Sequence, residues 1–567
     1  MAPAPSARPA RMLVPERLAL ALLALSGAAF LPDALNRFVF PKLVLVAIAV
    51  TLAAIVPARG RLPRAAVAVL CAGAALLTLA ALSGRTPLQQ LIGLAPRYEG
   101  LIVLPLYAGA GVAGARLLGH GRARGASRSF VRWLALAAIL IGIEAVLEAA
   151  GLRPLASNVA RPGSLLGNAS DEGAWAVLAL GPLAAVAIRV GGGLFTAGAV
   201  MAAATVICSG SRAALLGALI VAAVLVVLAG SRAVRVAVLV GIAAMAVGTL
   251  ALPATRARVT ASGGQAGATV TGRRLLWSET TTLVVGHPLL GIGPSGYLDA
   301  IPKYHGATYE REVGPQNPPD SPHDWLLQAT VAGGLPLLAL ALALAGLTLR
   351  RGWRAVAEQE TAGEAALVGG LLAGLCGYGV ALLFGFTTPG STPLAAVFGG
   401  ALLAGVPASA GRGDRRSRLW RRVRPAARAF SVAVCCALAV LAAAGAVAEV
   451  YLRDAIDAAA SDHLTQSEHE FQTAHDLRPW DPSVDATAAH AYATLAGYGI
   501  VAAIRPGLHW SGLELARLPH SIEALSDAAT LALAAGQPAR ARRFVDQALR
   551  LEPENPVLRR LAAELGS

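Results

Sequence analysis

The sequence predicts an all-α fold: a polytopic membrane bundle of about 12–13 spans, followed by an α-helical repeat domain. Three observations predict it. Of the 567 residues 56% are hydrophobic and only 14% charged, with a mean hydropathy of +0.60, which is too apolar for a soluble globular chain of this length. The apolar residues fall in runs of membrane-spanning length, separated mostly by short loops rich in arginine. Beyond residue 450 the pattern changes to amphipathic helices punctuated by proline.

A helix needs roughly 20 apolar residues to cross the hydrocarbon core, fewer where neighbours bury its ends. By that criterion the runs 18–31, 42–57, 65–83, 101–118, 130–150, 173–189, 192–208, 212–229, 233–252, 325–348, 364–386, 392–407 and 430–449 are spans. Their internal Gly and Pro are no objection, because membrane helices tolerate them. The first run follows basic residues like a signal peptide, but it lacks a convincing small-residue cleavage site and more spans follow, so it reads as uncleaved. Cys71, Cys208, Cys376, Cys435 and Cys436 lie in or beside apolar runs, without metal-ligand spacing, and read as buried thiols.

The net charge of +15 would suggest nucleic acid in a soluble protein. Here the arginines gather in the loops, so the basicity reads as orientation and no nucleic-acid partner is expected. Arg59, Arg61 and Arg64, then Arg116, Arg122, Arg124 and Arg128, then Arg350, Arg351 and Arg354 fall on one side, with the cluster GRGDRRSRLWRRVRP at 411–425. The positive-inside rule makes that side the cytoplasm. The loops 84–100, 151–172 and 253–324 then lie outside, as does everything after 450. The expected division is a membrane domain, 1–449, with a large outer loop at 253–324 and a basic inner loop at 411–428, and an outer repeat domain, 450–567.

In that last part EFQTAHDLRPWDP (470–482) and ALAAGQPARARRFVDQALRLEPENP (532–556) each place an alanine five residues before a proline at the end of an amphipathic helix. Helix pairs of about 34 residues are the tetratricopeptide signature. Ala541, Ala548 and Pro553 hold its small-small-Pro positions, as Phe471, Ala474 and Pro479 do earlier. An ordinary helical hairpin domain is the alternative. Repeat stacks present a concave groove, so the expected partner is a protein.

The outer face collects APRYEG (95–100), RPGSLLGN (161–168), SGSRAALLG (209–217), TGRRLLWSE (271–279), HPLLGIGPSGY (287–297) and SPHDWLLQ (321–328). Loops and helix ends that face one compartment can assemble a site, which makes Arg97, Arg161 and Asn168 candidate cleft residues. Arg212 either snorkels to lipid phosphates or joins Arg273 or Arg274 in gripping a diphosphate. His323 is either a surface histidine beside an N-cap, Asp324, or a neutral imidazole that accepts a proton from a sugar hydroxyl. Gln328 lies one turn after Asp324 on the same face. Gly291 and Gly293 lack the strand-to-helix setting of a nucleotide loop and read as a turn lining a cleft. No Walker stretch is present and no metal cluster is evident, although scattered Asp320, Glu310 and Glu312 stay open as ligands. Glu144 and Glu148, one turn apart in a span, either line a transport path or the mouth of the same cavity.

Taken together, SRAALLG at a span start, GRRLLW and HPLLGIGPSGY in one large loop, and HDWLLQATVAGGLP leading into the next span resemble the O-antigen ligase and polymerase superfamily. The resemblance covers about residues 80 to 410, and the repeats lie outside it. It implies a GT-C-like bundle in the bacterial inner membrane that moves a glycan from undecaprenyl diphosphate to an acceptor on the periplasmic side, with no cofactor. It also implies that Arg212 and one of Arg273 or Arg274 hold the lipid diphosphate, with His323 as base or acceptor-positioning residue. The family usually has Asn after this His; Asp324 stands here instead, and would alter the basicity of the imidazole. One displacement at the anomeric carbon predicts inversion. Lipid A core, a second lipid-linked unit and a protein hydroxyl all remain open as acceptors. A lipid-linked glycan transporter or flippase is the competing class.

Overall fold

The computed structural model describes residues 12–58, 60–84, 87–119, 124–155, 162–260, 264–314, 319–404 and 415–566. Among these the chain is helical, without a β-strand. The helices of the first half are α1 (Val14–Leu25), α2 (Phe40–Ile55), α3 (Arg64–Ser83), α4 (Pro87–Ile92), α5 (Leu104–Leu118), α6 (Arg124–Ala149), α7 (Ala169–Arg189), α8 (Gly193–Cys208), α9 (Arg212–Val227) and α10 (Arg232–Ala251). A connecting region holds α11 (Pro253–Thr260), α12 (Gly264–Gly286), α13 (Tyr297–Ala300) and α14 (Ala307–Glu312). The bundle resumes with α15 (Trp325–Ala357), α16 (Ala362–Ala381), α17 (Thr392–Leu403) and α18 (Arg415–Ala460). The chain ends in α19 (Leu464–Leu477), α20 (Pro482–Gly497), α21 (Ile504–Arg517), α22 (Ile522–Ala534), α23 (Pro538–Leu551) and α24 (Pro556–Glu564).

Each predicted run holds a helix. Among the described residues seven helices are long and apolar enough to cross a membrane on their own, and five shorter apolar ones, α2, α5, α8, α9 and α17, pack among them. The protein is therefore a multi-pass membrane protein. Two of the runs depart in detail from one unbroken helix of spanning length. Helix α1 has 12 residues before it tightens into the turn Ser26–Ala28; at 1.5 Å per residue it covers about 18 Å, short of the roughly 30 Å core. The run 325–348 is not one straight span either: α15 breaks at Gly333 and Gly334, whose backbone is non-helical, so a short segment 325–332 precedes the apolar rod.

Side-chain caps set several helix starts. Ser211, Ser231 and Thr361 each accept the amide of the third residue into their helices, which satisfies donors that the first turn leaves without partners. Inside the bundle α7 and α16 cross so closely that a side chain on Gly370 would meet the Pro182 Cα at 2.5 Å, the small-residue packing usual between membrane helices.

The two ends differ in chemistry. At one end, Arg116 donates to the carbonyls of Ala53, Ala54 and Val56 at 2.9, 3.2 and 2.7 Å. Arg351 reaches the Leu403 carbonyl and Arg428 the Ile55 carbonyl. These cations terminate helices α2 and α17 where their carbonyls lack partners. The expected Arg59, Arg122 and the start of the 411–425 cluster lie outside the described residues. The other end gathers the loops after α1, α4, α6, α12 and α16, and there the C-terminal helices dock.

Helix α18 runs without interruption from the basic end into the C-terminal domain. Its Ala448, Leu452 and Ala455 share a core with Phe471, Ala474, Tyr492 and Trp510. Behind it stand the hairpins α20–α21 and α22–α23, then α24. Asp481, Ser521 and Asn555 cap α20, α22 and α24 at equivalent places, and Phe471, Ala474, Ala541 and Ala548 are fully buried.

Candidate active site

The non-basic end brings four segments together around Phe386. The first is the loop after α4. Arg97 Nε donates to Asp320 Oδ2 at 2.8 Å, its Nη2 to the Asp320 carbonyl at 2.6 Å, and its guanidinium lies 4.8 Å over the Phe386 ring. Glu99 sits 3.6 Å from Arg97 Nη1 and accepts a 2.7 Å bond from the Thr387 hydroxyl. Burial pushes Glu99 up to about 7, with Arg97 and Thr387 opposing it.

The second segment carries His323, whose ring packs edge-on to Phe386 at 5.0 Å. Its φ of +52° is left-handed, a conformation that costs a non-glycine residue energy and tends to mark functional positions. Burial first, then the Arg273 guanidinium, pull His323 down to about 4, with Asp320 pulling up and Arg97 down. The imidazole is thus neutral at physiological pH and can accept a proton. The carboxylate acting on it is Asp320. Asp324, expected to alter its basicity, instead caps α15, accepting from the Leu326 and Leu327 amides at 2.7 and 3.0 Å.

The third segment is α12. Arg273 is half-buried and Arg274 exposed, so the helix turns only the former toward His323. One turn on, Trp277 Nε1 donates to the Pro322 carbonyl at 2.8 Å, tying this face to the histidine segment. The fourth is the start of α9. A small, water-sized crevice there is lined by Asp171, Ser211, Ala213, Ala214, Phe384 and Phe386 among others. Arg212, between two lining residues, is exposed and donates Nε and Nη2 to the Arg258 carbonyl at 2.8 and 2.5 Å.

Other candidates have structural duties. Asn168 caps α7 through the Ser170 and Asp171 amides. Gly291, at φ +62°, lets the turn after α12 meet the kink of α15: a side chain there would overlap the Val331 carbonyl, and Ile292 N donates to that carbonyl at 2.8 Å. Gly293 makes room for Gln90. Gln328 keeps a buried Oε1 without a hydrogen-bond partner among the described residues. Glu148 accepts the Gly163 and Ser164 amides at 2.8 and 2.9 Å, which fixes that loop. Arg161 lies outside the described residues.

Sequence reasoning missed Phe386 and Thr387, which carry no motif, and the buried pair Lys42 and Asp171. Lys42 Nζ donates to the Ala29 and Leu165 carbonyls, and Asp171 accepts the Ser391 hydroxyl at 2.6 Å. Charges at the starts of apolar helices were the available signal. Among the described residues no three His, Cys, Asp or Glu side chains gather to hold a metal ion.

Residues 197–342 match the family model described as O-antigen ligase. The matched segment contains Arg212, Arg273 and His323. It supports a ligase- or polymerase-type function and covers the start of α9, α12 and the first part of α15, whereas Arg97, Asp171 and Phe386 lie outside the matched residues. Comparison with curated proteins gives no match.

Proposed function

We propose that this O-antigen ligase-like chain transfers a glycan from undecaprenyl diphosphate to an acceptor hydroxyl at the non-basic end of the bundle, on the periplasmic side of a bacterial inner membrane. The observation that carries the reading is the gathering of Arg97 and His323 around Phe386, with the Arg273 guanidinium acting on the imidazole, beside the crevice at the start of α9. The acceptor oxygen attacks the anomeric carbon and its proton passes to His323. The carbon–oxygen bond to the diphosphate breaks, and the electron pair leaves with the phosphate. Arg273, half-buried, and Arg212 at the exposed rim meet that growing negative charge, and its stabilisation is greatest where donors are already in place and water is scarce. Bound diphosphate also offsets the guanidinium charge on His323 and so raises its basicity at the moment of use. A single displacement inverts the anomeric centre.

The hairpins after α18 read as tetratricopeptide-like repeats, whose groove suits a protein partner from the same glycan-assembly machinery. The test of the enzymatic reading is a deletion strain complemented with wild type, His323→Ala or Arg273→Ala at matched expression. Wild type alone should restore long or attached glycan. Full restoration by both variants would turn these side chains into structural ones and bring a transporter forward.

A further inference from the structure

The C-terminal hairpins are fastened to the candidate active site itself. Arg478, at the turn between α19 and α20, is 1% exposed. It reaches Glu449 Oε1 on α18 at 2.9 Å and Asp481 Oδ2 at 3.2 Å. Its guanidinium lies 4.9 Å over Phe40 and 5.6 Å over Tyr98, two rings that themselves pack at 4.8 Å. Glu449 also accepts the Asn36 amide at 2.9 Å and lies 3.5 Å from the Tyr98 hydroxyl. Two residues past the Asp481 cap, Ser483 accepts the Ala95 amide at 3.3 Å. The loop 93–100 is therefore held at two points by the C-terminal domain.

That loop carries Arg97 and Glu99, the immediate neighbours of Tyr98. Tyr98 has φ +54°, a strained left-handed backbone that persists only where its surroundings over-determine it. Arg478, Glu449 and Phe40 are those surroundings. With Tyr98 pinned on one side, Arg97 and Glu99 are left to engage Asp320, Phe386 and Thr387 on the other. We propose that Arg478 is a positioning residue of the transferase: by clamping Tyr98 it sets Arg97 and Glu99 in the site, so the hairpin domain is part of the catalytic machinery as well as any docking platform. The inference rests on the transferase reading above.

The experiment uses full-length protein in lipid nanodiscs and compares wild type, Arg478→Ala, Arg478→Lys and Tyr98→Leu. The last variant removes the ring under Arg478 while leaving the Arg478–Glu449 pair intact, so the hairpins keep their fold. Two readouts are taken: amide hydrogen exchange of residues 93–102, and kcat/KM for transfer from a lipid-diphosphate glycan. Tyr98→Leu and Arg478→Ala should raise exchange in 93–102 about tenfold while the α22–α23 hairpin stays protected. Both should also lower kcat/KM by about 10- to 100-fold, the scale of a site displaced by an ångström. Arg478→Lys, which keeps the charge but not the stacked plane, should fall between. Unchanged exchange in 93–102, or raised exchange with wild-type transfer, overturns the proposal. A wild-type protein that transfers nothing refutes the transferase reading instead, while exchange still decides whether the clamp exists.

Discussion

Glu99→Gln isolates the cost of keeping a carboxylate inside the site. Burial raises this carboxyl from 4.5 to about 7 despite Arg97 nearby. Between those values the folded protein holds a proton that the unfolded chain has released. The stabilisation is thus fully present below about pH 4.5 and is lost as pH rises through about 7. At 1.36 kcal/mol per tenfold change in proton affinity, the difference comes to about 3 kcal/mol. Glutamine is uncharged throughout and keeps an oxygen for the Thr387 hydroxyl, so the variant escapes the loss. Thermal unfolding of both proteins at one scan rate, from pH 4.5 to 8, measures it. The wild-type Tm should fall relative to the variant across that range and the variant should be the more stable at pH 8. Parallel curves would refute the buried, protonated Glu99.

His323→Ala should lower kcat by about 10²-fold or more with little change in expression, as expected for loss of a proton acceptor, measured by single-turnover transfer. Arg273→Ala should cost about 10²-fold in kcat/KM, whereas exposed Arg274→Ala should stay within about twofold; equal losses would remove the distinction between them. Asp324→Ala should cost about 1 kcal/mol of stability and Asp324→Ser far less, because the side chain caps α15. Gly334→Ala should destabilise by about 2 kcal/mol or more, since φ there is +72° and the new methyl would lie 2.5 Å from the Leu289 carbonyl.

Much of the bundle was legible because its signal is local: an apolar run long enough to span is visible without knowing its neighbours. The limits of that signal appear at α1 and at Gly333–Gly334, where hydropathy cannot register a helix that stops early or breaks to receive the Ile292 amide. The candidate site was legible as a set of motifs at one end of the bundle and not in its wiring. Arg273 and Arg274 are equivalent as letters, and only the face that α12 turns toward Pro322 separates them. Asp324 follows His323 in sequence, yet a residue in left-handed conformation sends its successor into the cap and leaves Asp320, three positions upstream, beside the imidazole. Phe386 and Thr387 organise the site with side chains that no catalytic pattern requires. The Arg478 clamp joins residues hundreds of positions apart, beyond any local reading.

The most direct measurement of the central claim uses purified full-length protein, a radiolabelled glycan on undecaprenyl diphosphate and a hydroxyl acceptor. It follows glycan transfer together with release of undecaprenyl diphosphate. The account predicts that wild type yields the two products in equal amounts with inverted anomeric configuration, and that His323→Ala and Arg273→Ala yield neither at a comparable rate. Wild-type protein that binds the donor without releasing undecaprenyl diphosphate, or folded variants that match its rate, would contradict it.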